Sequence, residues 1–159
     1  IDLVVADLGS YAPADHDQGR VVLLPQNNDG TFGSPIDLIT GLGRVADVRP
    51  VDVDDDDDVD LLVAEFGANR TGKIALFRDV SASDEPYRFE LETLDPRPGA
   101  SHIPLVDLND DGRLDFAFIW RLATTPTQWA AFLALARANR LAGRAMTTIW
   151  ATAGLTLAR

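Results

Sequence analysis

The sequence predicts an all-β fold: a partial β-propeller of about two four-stranded blades plus an opening fragment, with a C-terminal helix as an added element. Three observations predict it. A strand-like motif recurs at intervals of 58 and 55 residues. The segments between recurrences hold short runs rich in Val, Leu, Ile and Phe. Clusters of Gly, Pro, Asn and Asp separate those runs.

The repeat is legible by eye. Ile1-Asp2-Leu3-Val4-Val5-Ala6-Asp7-Leu8-Gly9 aligns with Val59-Asp60-Leu61-Leu62-Val63-Ala64-Glu65-Phe66-Gly67, and Leu114 to Trp120 is a weaker third copy. Within each copy a second strand follows, at 19–25 and 72–78. Turn signals come next at 27–30 and 81–86, then a third strand at 32–39 and 87–94. A fourth closes the unit, at 45–51 and 102–106. These runs are too short for helices. Four short antiparallel strands are what one propeller blade needs, and a closed ring takes at least about four blades. The remaining blades are therefore expected outside this chain, or the units pack as an open stack.

The chain has no cysteine, which excludes disulfides and thiolate chemistry. No apolar run is long enough to span a membrane. The charge is lopsided: all 25 acidic residues lie between Asp2 and Asp115, with nine basic residues among them, and five arginines without an acid follow Phe116. An acidic surface argues against nucleic acid as a partner and favours divalent cations.

Two acidic stretches stand just before the repeated strand. One is Asp52-Val53-Asp54-Asp55-Asp56-Asp57-Asp58-Val59-Asp60; the other is Asp107-Leu108-Asn109-Asp110-Asp111-Gly112-Arg113-Leu114-Asp115. Both place oxygen-bearing side chains at loop positions 1, 3, 5 and 9. Calcium takes six to eight oxygens, and a short loop coiled around it points alternate side chains inward. The side chains of Asp52, Asp54, Asp56 and Asp60, and of Asp107, Asn109, Asp111 and Asp115, are the candidate ligands. Asp58 and Arg113, at position 7, would add backbone oxygens. Position 6 needs a tight turn, supplied by Gly112 in one loop and left to Asp57 in the other. The bland alternative is a solvated acidic loop without an ion. An EF-hand is excluded, because its position-12 Glu is replaced by Val63 or Phe118.

These residues resemble the FG-GAP, or VCBS, repeat family. The resemblance rests on Asp-x-Asp-x-Asp-x-x-x-Asp-Leu at 52–61, Asp-x-Asn-x-Asp-Gly-x-x-Asp-Phe at 107–116 and the turn Asn28-Asp29-Gly30-Thr31-Phe32, and it covers residues 1–120. It implies a seven- or eight-bladed calcium-binding propeller, as in integrin α-chain heads and secreted bacterial proteins. It also implies a binding or scaffold role. Asp57 departs from the family pattern.

Residues 121–159 do not continue the repeat. They hold 11 alanines and no acid. One reading is a helix over 128–142, capped by Thr127 and stopped by Gly143. The other is a segment out of the ancestral reading frame.

Catalytic signals are sparse. His16 and His102 are the only histidines. His16 reads as a surface loop residue. His102 and Asp47 occupy matching repeat positions, near the same end of a blade. Ser10 and Ser101 have no triad partners at motif spacing, and Gly41-Leu42-Gly43 reads as a plain loop. The expected function is a calcium-stabilised, non-catalytic module binding protein or carbohydrate in an extracellular, cell-surface or periplasmic protein. The alternative is an accessory propeller of a larger enzyme acting on polysaccharide or in redox chemistry.

Overall fold

The computed structural model describes residues 1–12, 14–68, 70–107, 110, 112, 114–117, 119–120 and 135–137. In chain order the strands are β1 (Leu3–Asp7), β2 (Gly19–Leu24), β3 (Ile36–Leu42), β4 (Val45–Val51), β5 (Asp60–Glu65) and β6 (Lys73–Asp79). They continue with β7 (Phe89–Asp95), β8 (Ala100–His102), β9 (Leu105–Val106), β10 (Asp115–Ala117), β11 (Ile119–Trp120) and β12 (Leu135–Arg137). The described residues contain no helix.

β4-β5-β6-β7 form a four-stranded antiparallel sheet in sequence order, and β1-β2-β3 form a three-stranded one. The third unit is broken. β9 pairs with β10 and β8 with β11, and the Ala117 N–H donates to the Pro104 carbonyl between them.

The apolar run of β5 is explained by its neighbours. Strand side chains alternate between faces, and here both faces are covered, so no polar alternation is seen. Leu61 and Val63 point into a core with Val21, Leu42, Val45 and Phe77, between the first and second sheets. Leu62 and Ala64 point the other way, against Leu76, Ala100, Ile103 and Phe116 of the second and third units. The central sheet is thus held by two cores. Burying each large aliphatic side chain contributes about 1.5–3 kcal/mol.

Three expectations are corrected. The third strands begin later than the sequence suggested, at Ile36 and Phe89. Phe32 instead closes a tight turn by bridging Gln26, with Asn27 N–H donating to the Thr31 carbonyl and Gly33 N–H to that of Pro25. Tyr87 adopts a φ of 62°, which a strand does not accommodate. Gly41 and Leu42 belong to β3 rather than to a loop, because Leu42 is needed in the first core. Within the expected helix, Leu135–Arg137 form a strand antiparallel to β10, taking up the hydrogen-bonding edge that β10 offers. The rest of 128–142 lies outside the described residues.

Candidate metal centre in the acidic loops

Each acidic stretch is the connection of a hairpin. Val51 faces Asp60 across the β4–β5 pair, and Val106 faces Asp115 across β9–β10. The loops therefore span the same eight positions between equivalent strand ends.

In the first loop the chain wraps around one carboxylate. Asp52 Oδ1 accepts the N–H groups of Asp54, Asp55 and Asp56 at 3.3, 2.7 and 3.3 Å, and Oδ2 accepts that of Asp57 at 3.1 Å. Asp56 Oδ1 accepts the Asp58 N–H at 3.0 Å. This winding turns alternate side chains to one side. Asp52, Asp54 and Asp56 each bring a carboxylate oxygen within 4.8 Å of the others.

The second loop has the same turn. Asp107 Oδ2 accepts the Gly112 N–H at 2.8 Å, the counterpart of Asp52 and Asp57. Positions 4 and 6 are left-handed in both loops: Asp55 at 63° and Asp57 at 71°, Asp110 at 55° and Gly112 at 83°. The tight turn expected at position 6 is present. The one at position 4 was missed, although Asp at both sites is among the residues that tolerate it. Asn109, Asp111 and Arg113 lie outside the described residues.

Asp60 is brought near the loop but not into the carboxylate group. It is buried, and both its oxygens are engaged: Oδ1 accepts the Asp79 N–H at 2.8 Å and Oδ2 the Val53 N–H at 3.2 Å. Asp2, at an exposed position, repeats the first of these bonds, accepting the Gln26 N–H at 2.8 Å. Asp115 is buried at the matching place in the third unit.

The electrostatics are uneven. Burial pushes the Asp52 carboxyl up, but the four backbone N–H groups together outweigh it and hold it below the usual carboxylate range. Burial pushes Asp60 up, and the N–H groups of Asp79 and Val53 offset only part of that. Arg78, on β6, bridges Asp54 at 2.8 Å and Glu92 at 3.2 Å. It was not anticipated, since nothing in the local sequence ties residue 78 to residue 54. The three clustered carboxylates could hold a metal ion, while the Arg78 guanidinium beside Asp54 competes with a cation for them.

Two further groupings join the repeats. Asp47 Oδ2 lies 2.7 Å from His102 Nδ1 and accepts the Ile103 N–H at 2.9 Å. Asp15 Oδ1 accepts the N–H groups of Arg70 and Thr71 and the Thr71 hydroxyl. Beside that clamp lies a polar cleft of about 670 Å³, lined by His16, Glu65, Arg70 and Lys73 among others. His16 is half-buried there, with Nδ1 accepting the Gln18 N–H, so it is less exposed than its loop setting suggested. Glu65 pairs with Lys73 at 2.7 Å, as Asp7 pairs with Arg20 at 2.8 Å in the first repeat. Asp7 and Glu65 are aligned in the sequence, so this pairing could have been read from it. No helix of the described residues is long and apolar enough to cross a membrane.

No family model matches the chain, and neither a curated protein nor a solved structure matches it.

Proposed function

We propose that the chain is a calcium-stabilised, non-catalytic repeat module of the FG-GAP/VCBS propeller type. It serves protein or carbohydrate binding in an extracellular, cell-surface or periplasmic protein. The observation that carries this reading is the shared loop turn. In both loops the position-1 carboxylate accepts the position-6 N–H, at 3.1 and 2.8 Å. In the first loop that turn gathers Asp52, Asp54 and Asp56.

Bound calcium would neutralise the gathered carboxylates. The protein's own part is mechanical. Asp52 holds the loop backbone, Asp54 and Asp56 present oxygens, and Asp60 ties the loop end to β6 through Asp79. The loop is thereby fastened to two strands of the central sheet. The ion acts as a staple, and contact with a partner falls to other surfaces. The cleft beside Asp15 and His16, with Glu65 and Lys73 in its lining, offers polar groups to a hydroxyl-rich ligand.

Calcium titration calorimetry tests the reading. The wild-type chain should bind two ions. Asp54→Ala should remove the first-loop site, and Asp111→Ala the second. Absence of calcium binding at millimolar concentration would overturn the proposal.

A further inference from the structure

The polar cleft between the first two repeats lies at the far end of the sheets from the first acidic loop. In an antiparallel meander, successive connections alternate between the two ends. The acidic loop joins β4 to β5, whereas the cleft is walled by the β1–β2, β3–β4 and β5–β6 connections. Its volume of about 670 Å³ is that of a small-molecule site. The first repeat brings Asp15, His16 and Asp17 to it, and the second brings Glu65, Arg70 and Lys73.

The two walls offer different halves of hydrogen bonding. On the second-repeat wall Lys73 is a fixed donor. The Glu65 carboxylate, with a side chain 3% exposed, holds its ammonium at 2.7 Å, and the Lys73 side chain remains 24% exposed. Gly43 makes room for that carboxylate, since a Cβ there would come within 2.5 Å of Glu65 Oε1. An ammonium has three N–H donors, so the pairing with Glu65 leaves others for a ligand. Arg70, 90% exposed and 3.8 Å from Asp15, adds donors at the rim. On the first-repeat wall Asp17 is exposed, and its carboxylate is unengaged among the described residues. The His16 ring is fixed in one tautomer: Nδ1 accepts the Gln18 N–H, so the proton of the neutral ring sits on Nε2. That nitrogen is enclosed and has no partner among the described residues. An enclosed donor is disfavoured until an acceptor reaches it.

We infer that the cleft is a binding site for a neutral saccharide. Lys73 and Arg70 donate to sugar oxygens, and Asp17 accepts hydroxyl protons. A small turn of the His16 ring gives its N–H to a further hydroxyl. A sugar hydroxyl donates and accepts at once, so it suits a cleft that carries both kinds of group. The lining sets three carboxylates against two cations, which disfavours an anion such as a uronate or a phosphate. The inference rests on the carbohydrate half of the proposed function and is independent of the calcium half.

Amide chemical shifts of the full, calcium-saturated chain test it. The neutral probes are methyl α-mannoside, methyl β-galactoside and N-acetylglucosamine, with glucuronate as the anionic control. At least one neutral sugar should shift the amides of His16, Gly43, Thr71 and Gly72, with a millimolar Kd. Arg70→Ala and Asp17→Asn change exposed side chains and keep the fold, and each should weaken binding by about fivefold. Lys73→Met should weaken it by about tenfold or more. Because that variant strands Glu65, the two exposed variants carry the decision. Arg88→Ala, at the opposite end of the central sheet, should leave binding unchanged. No shift from any neutral sugar at tens of millimolar overturns the inference. So does glucuronate binding as tightly as the neutral sugars, or binding that neither Arg70→Ala nor Asp17→Asn weakens. Shifts confined to amides outside the cleft overturn the site and leave carbohydrate binding itself standing. Calcium binding is read separately by calorimetry, so its failure and the failure of this site are distinguishable.

Discussion

The Asp60 carboxylate accepts the backbone N–H of Asp79 at 2.8 Å from a nearly fully buried position. The same bond, from Asp2 to Gln26, fastens the first repeat. In the first two repeats the aspartate at the start of the repeated strand is therefore a structural tie to the segment beside it, whatever else it does. Asp60→Ala would leave the N–H groups of Asp79 and Val53 without their acceptor. The expected loss is about 2–4 kcal/mol, near 1–3 kcal/mol for each stranded group after partial rescue by water. Asp2→Ala, at an exposed bond, should lose about 1 kcal/mol or less. Urea denaturation of both variants checks the contrast.

Position 6 gives a test of the backbone. Asp57 holds a φ of 71° where the second loop uses Gly112 at 83°. A left-handed conformation disfavours any side chain by about 1–2 kcal/mol, although Asp tolerates it better than most. Asp57→Gly should therefore stabilise the calcium-free chain by about 0.5–1 kcal/mol, helped by removal of one charge from a crowded loop. Gly112→Ala should destabilise it by a similar amount. Opposite shifts in the denaturation midpoint are the expected outcome.

Arg78 supplies the positive charge nearest Asp54. Arg78→Met should make the calcium-free loop less stable, because the carboxylates lose their counter-charge. It should also raise calcium affinity in the first loop. A double charge and a single charge about 6 Å apart in a water-like dielectric repel by about 1.4 kcal/mol, or tenfold in affinity. Calorimetry on the variant should show one site tightened and the other unmoved.

Acid sensitivity follows from Asp7. The Arg20 guanidinium and then the Gly9 N–H hold its carboxyl below the usual range. A depressed carboxylate stabilises the fold above its unfolded value, about 3.9, and that contribution disappears as pH falls through the lower folded value. Asp29, held down by the Thr31 hydroxyl and N–H, acts in the same direction. Because Asp60 is held above the usual range by burial and works the other way, the test is a difference: below about pH 4 the calcium-free wild type should lose more stability than Arg20→Met. Both partners are substantially exposed, so added salt should weaken the effect.

Much of this architecture was legible because strands and loops announce themselves locally. The alignment of Asp2 with Asp60, the alternating oxygens at 52–56 and the turn at Gly112 all reside in short windows. Arg78 did not, because its bond to Asp54 crosses 24 residues and depends on β5 and β6 pairing in one register. The Asp47–His102 contact was half legible. Matching repeat positions suggested a common end of the blade, but only packing of β8 beside β4 makes a 2.7 Å contact. The third strands were placed too early because Phe32 and Tyr87 look like strand residues. Their backbones are committed to turns, and single-residue propensity cannot report that.

The most direct test of the central claim is a pair of melting curves, one with millimolar calcium and one with chelator. A ligand bound only by the folded state stabilises it by about 2.7 kcal/mol at a hundred times Kd. For a chain of this size each kcal/mol moves Tm by roughly 2–4 °C. Calcium should raise Tm by several degrees over chelator, and Asp52→Ala combined with Asp107→Ala should abolish the difference. Coincident curves for the wild type would contradict the account, and the acidic loops would then be turns held by Asp52 and Asp107 alone.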